Sequence, residues 1–96
     1  MANTELIQKL LEDKKIQQEQ LQKELEELDT KLKIVIFEED MYYRLAESRY
    51  KYKEVLSNKQ EICDNRMKEL ESNINKLKEE LAILEMEIEY IEKVLN

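Results

Sequence analysis

An all-α protein is the fold class this 96-residue sequence predicts: a long antiparallel helical hairpin or coiled coil that self-associates into a helical bundle. Three observations lead there. Glycine and proline are both absent, although average usage would supply roughly seven and five in this length. The left-handed corners of β-hairpins and most tight turns therefore have no residue suited to them. Glu, Lys, Leu, Ile and Gln dominate, and most of these are strong helix formers. Finally, apolar residues recur at alternating spacings of three and four, the signature of a heptad repeat. A single domain over residues 1–96 is expected.

The first long helix is expected over about residues 4–56. Its seam takes Ile7 and Leu11, turns polar at Lys14 and Gln18, then runs Leu21, Leu25, Leu28, Leu32 and Val35. Asp29-Thr30 and Asp40 are weak N-cap signals, so a kink or break near 29–30 or 40 is compatible with the pattern. The first twenty residues, polar at Lys14, Gln17 and Gln18, are expected to fold back or to reach a neighbouring subunit.

Through the middle the same register places Glu39, Tyr42, Ala46, Arg49, Lys53, Leu56, Gln60 and Cys63 on the seam. One straight rod would bury charge there at a cost. A turn is the better solution, and residues 57–59 carry the clearest signal for it: Asn58 can cap a new helix, with Glu61 completing a capping-box-like pattern three residues on. Folding there sets Leu21 against Leu95, Leu28 against Ile88, Leu32 against Leu84 and Val35 against Leu81, with Lys31–Glu87 and Tyr52–Arg66 as flanking pairs. A turn nearer Lys51 ranks second, because it lacks turn residues; it sets Leu25 against Leu77 and Leu32 against Leu70.

The second helix, 60–95, shows the repeat most clearly. Met67, Leu70, Ile74, Leu77, Leu81, Leu84, Ile88, Ile91 and Leu95 follow one another without a miss. Such a strict sevenfold repeat supercoils left-handed around a partner. In a parallel homodimer its flanking contacts would be Glu80–Glu85 and Glu87–Glu92, both repulsive, so antiparallel pairing is preferred. Leu6, Leu10, Ile36, Phe37, Leu45, Ile62, Ile83 and Val94 widen the apolar stripe beyond the seam. Widened stripes suit bundles of more than two helices. Leu21, Leu25, Leu28, Leu32 and Val35, with Met67, Leu70, Ile74, Leu77, Leu81, Leu84, Ile88, Ile91 and Leu95, are therefore expected to form an oligomer core.

Charge is unevenly spread. The chain is net −7 with 41% charged residues. Met41 to Lys53 nevertheless gathers Tyr42, Tyr43, Tyr50 and Tyr52 with Arg44, Arg49, Lys51 and Lys53 against the single acid Glu47. These eight residues are the expected contact site for a ligand or partner. As packing, the tyrosine rings lie inward and the cation stems snorkel over apolar surface. As a site, the same groups suit an interface hot spot on a partner protein or, brought together between subunits, a pocket for a small nucleotide-like anion.

Other classes find less support. An acidic chain with four central cations is poorly suited to nucleic acid. Its longest clearly aliphatic run, Ile34–Phe37, falls far short of the ~20 residues of a membrane span, and no amphipathic face is rich in Lys and Arg. With no histidine and no Gly-rich phosphate loop, neither metal, cofactor nor catalysis is expected. The lone Cys63 falls on the seam and reads as a small core hydrophobe, with a regulatory thiol as the alternative. A cytoplasmic protein is expected, since the stretch MANTELIQKLLEDKK carries no leader-like apolar core. The functional expectation is a non-catalytic coiled-coil adaptor or inhibitor; the alternative is a helical sponge for a nucleotide-like signal.

Overall fold

In a computed structural model describing residues 2–96, the chain forms two long helices joined by a short reversal. Helix α1 spans Ala2–Ser48 and helix α2 spans Lys53–Leu95, with one 3₁₀ turn at Tyr50–Tyr52 between them. No strand occurs among the described residues. The all-helical hairpin expected from the heptads is what the chain adopts.

The reversal lies earlier than residues 57–59, which sit inside α2. At the end of α1 the Arg49 N–H donates to the Leu45 carbonyl at 2.8 Å, and the Ser48 hydroxyl donates to the same oxygen at 3.3 Å. Arg49 then leaves helical geometry at φ −117°, ψ 70°. Its carbonyl accepts from the Tyr52 N–H at 2.9 Å, closing the 3₁₀ turn. No described residue has positive φ, so one non-helical residue and one tight turn reverse the chain without glycine.

The physical reason for this position is the seam. In a continuous helix Arg49 and Lys53 would both point into it, burying two cations. The reversal takes both out, and both are exposed. Asn58, by contrast, falls on the exposed side of α2, where a polar residue needs no cap to explain it.

Moving the turn also changes the pairing. Glu87 meets Lys14 at 2.7 Å rather than Lys31, and Tyr52 meets Lys51 rather than Arg66. Leu32 packs with Leu70 in one cluster, as the second-ranked turn required. Helix α1 runs unbroken through 29–30 and 40, where the sequence was compatible with a kink or break. The two aspartates reach forward along the helix instead of capping: Asp29 binds Lys33 at 3.1 Å and Asp40 binds Arg44 at 2.9 Å. Each is an acid four residues ahead of a cation, the favourable order.

The chain divides into two compact units. One joins α1 up to Glu26 with α2 from Asn75. There Leu77, Leu84, Ile88 and Ile91 are buried, while Ile7, Leu11, Leu21, Leu25, Leu81 and Leu95 are half-buried. In this unit the Lys14–Glu87 pair and Lys15–Glu92 at 3.3 Å tie α1 to α2. Lys14 occupies a seam position with its side chain only 21% exposed; its stem covers apolar surface and its ammonium reaches a carboxylate.

The second unit, Glu27–Ile74, contains the reversal. Val35, Cys63 and Leu70 are buried together, with Leu28, Leu32, Tyr42 and Met67 packed against them. Ala46 and Ile74 are also buried. Every buried residue in either unit lies on the heptad seam. Among the described residues no large side chain is fully buried, as expected where each helix has only one neighbour.

Candidate functional site

The tyrosine–cation segment forms the reversal itself. Its side chains are laid out by the last two turns of α1, the 3₁₀ turn and the first turn of α2. Tyr50 is 79% exposed, and Tyr43 and Tyr52 are each more than half exposed. The Lys53 ammonium stands 5.4 Å from the Tyr50 ring centre and the Lys51 ammonium 5.7 Å from that of Tyr52, cation–π distances.

Tyr43, Tyr50 and Lys53 share one groove of about 480 Å³ with Ala46, Glu47, Ser57 and Gln60. Tyr43 lies in the last turns of α1 and Tyr50 in the 3₁₀ turn beyond its end, so the reversal, not their sevenfold spacing, brings the two rings to one groove. A hydrogen bond to the Glu47 carboxylate, reinforced by its charge, holds the Tyr43 phenol above its usual pKa. Tyr43 therefore stays a neutral donor. Lys53 and Glu47 balance, so the groove combines two aromatic faces, two opposite charges and two neutral hydrogen-bonding side chains.

The other expected site residues do not join this groove. Arg44 donates through Nε to Asp40 Oδ2 at 2.9 Å, and this bond raises the pKa of its guanidinium. Arg49 makes the reversal. Tyr42 turns to the other flank of the unit, half-buried against the core, with the Lys59 ammonium 5.9 Å from its ring centre.

On that flank lies a second, smaller groove of about 160 Å³, lined by Val35, Glu38, Tyr42, Lys59, Ile62, Cys63 and Arg66. Lys59 and Arg66 were not among the expected site residues. They sit seven apart beside the α2 seam, and only the correct turn brings them to Tyr42. Cys63 at the floor of this groove is buried. Burial raises its thiol pKa, Glu38 and Glu39 add to the effect, and Arg66 and Lys59 oppose it. The thiolate is disfavoured, which makes Cys63 a poor nucleophile.

Among the described residues no group of three His, Cys, Asp or Glu is arranged to hold a metal ion. No described helix is long and apolar enough to cross a membrane. Comparison with protein-family models, with curated proteins and with solved structures finds no match to this chain. Function must therefore be argued from the side chains themselves.

Proposed function

We propose that this chain is a non-catalytic helical interaction protein, an adaptor or inhibitor, that assembles with itself and binds a partner protein through its reversal. The observation that carries the partner contact is the exposure of Tyr43, Tyr50 and Tyr52 beside Arg49, Lys51 and Lys53 at the reversal between the two helices. Tyrosine and arginine are the types most enriched in interface hot spots, because they bring large contact area with few rotors. Self-assembly is supported by what the hairpin leaves uncovered: Leu6, Ile34, Phe37, Ile62, Met86 and Tyr90 are all more than half exposed. The surface surplus of Asp and Glu keeps such a protein soluble while its apolar positions find partners.

The test replaces Arg44, Arg49, Tyr50 and Lys53 together with alanine and measures affinity for the partner recovered by crosslinking. A loss of at least about 100-fold is expected, with helicity and assembly mass unchanged. Full affinity in the variant would place the contact elsewhere.

A second reading rests on the groove between Tyr43 and Tyr50, whose volume falls within the usual range for small ligands, about 300–1,000 Å³. On this reading the chain sequesters a nucleotide-like anion, with a second subunit adding the positive charge one hairpin lacks there. Melting curves with nucleotides and cyclic dinucleotides distinguish the two. A ligand at 100 times its dissociation constant adds ~2.7 kcal/mol, and curves unmoved by every ligand leave the partner-protein reading.

A further inference from the structure

Besides its seam, α2 carries a second stripe at the same three-and-four spacing. In the unit with the reversal it reads Tyr52 (just before the helix), Val55, Lys59, Ile62 and Arg66; in the other unit it reads Glu80, Ile83, Glu87, Tyr90 and Val94. All six apolar members are more than half exposed. The opposite flank of α2 is polar: Glu54, Ser57, Glu61, Asp64, Lys68 and Glu71 in the first half, with Ala82 its sole apolar member in the second. The uncovered apolar surface of α2 is thus concentrated on one flank.

The two halves of the stripe have opposite charge. Apolar residues alternate with Lys59 and Arg66 in one and with Glu80 and Glu87 in the other. A helix whose two halves complement each other in this way matches itself run backwards. With a second α2 laid antiparallel about a centre between residues 72 and 73, Lys59 meets Glu87, Arg66 meets Glu80 and Glu69 meets Lys76. Ile62 meets Ile83, Val55 meets Tyr90 and Tyr52 meets Val94. A slip by one heptad sets Ile62 against Lys76 or Lys59 against Val94, and a parallel arrangement sets each charge against its own kind.

We propose that a second copy of this chain occupies this flank through antiparallel α2–α2 packing about that centre, joining two hairpins into a four-helix assembly. The proposal rests on the self-assembly reading above and names the surface that carries it. The contact is isologous, so each pairing occurs twice and the assembly closes as a dimer. Lys59 then shares its charge between the Tyr42 ring and a carboxylate of the second copy. Glu87, of which Lys14 holds only Oε2, gains a second cation.

Charge reversal tests this directly. One variant carries Lys59→Glu and Arg66→Glu; the other carries Glu80→Lys and Glu87→Lys. In each, the charges at 59, 66, 80 and 87 have one sign, and self-association should weaken by at least about 100-fold. Mixed in equal amounts, the two variants regain all the opposite-charge pairs and should form a heterodimer, which a misfolded chain could not do. As an independent check, Asn73→Cys in a Cys63→Ser background should form a disulfide-linked dimer under mild oxidation. A wild-type protein that sediments as one chain overturns self-assembly altogether. An assembled wild type whose two variants assemble equally well alone, or do not rescue each other, overturns this interface and leaves the self-assembly reading standing.

Discussion

Replacing Asn58 with proline should cost about 3 kcal/mol or more, because residue 58 lies in the interior of α2 and the substitution removes an i→i−4 hydrogen bond while the ring clashes with the carbonyl of Glu54. For a domain of this length that corresponds to a fall in melting temperature of more than about 10 °C. The damage is not confined to the first turns. Lys59 at the Tyr42 ring and Cys63 in the core with Val35 lie directly downstream, so a kink at 58 would pull both off α1. The same change would be nearly neutral if the chain reversed at 57–59, since proline is tolerated in turns and at the first position of a helix. Thermal melts at fixed protein concentration, followed by circular dichroism, distinguish the two positions.

Truncating Leu84 to alanine should destabilise the protein by about 3 kcal/mol, in the lower half of the range for a buried leucine. Leu84 is 3% exposed, the most thoroughly covered of the described residues. With a single helix packed over it, neighbouring side chains can close only part of the resulting space. Met86, two residues on, is 65% exposed and off both the seam and the second stripe. Met86→Ala should change stability by no more than about 0.5 kcal/mol. Equal losses at the two positions would mean that the seam does not carry the hairpin.

The heptad seam was legible in the sequence to the residue. Leu70, Ile74, Leu77, Leu84, Ile88 and Ile91 are all buried, because in so regular a helix the period alone decides which side chains share a face. The turn was not legible from cap chemistry. Asn58 and Glu61 resemble a helix start, yet polar residues on the outer face of a helix are ordinary and carry little information there. The useful signal was the pair of cations at seam positions, Arg49 and Lys53, which a continuous helix would have had to bury.

The same distinction runs through the site. Tyr43 and Tyr50 share a groove, but through the reversal, since Tyr50 lies beyond the end of α1. Tyr42 with Arg49, and Tyr52 with Leu45, are also seven apart, and there too the reversal intervenes before the second member of the pair can continue the first helix. Lys59 and Arg66 carry no such signal because they come from the other helix, and contacts across a hairpin depend on where it turns. An error of a few residues in the turn changes every such contact while leaving each helix's own face intact.

What remains uncovered on two paired helices, including Ile62, Ile83 and Tyr90, each more than half exposed, gives the most direct test of self-assembly. Sedimentation equilibrium of the wild-type protein at micromolar concentration should yield a particle of two chains, with a melting temperature that rises with concentration. A compact species with the mass of one chain, melting cooperatively at a temperature independent of concentration, would contradict it.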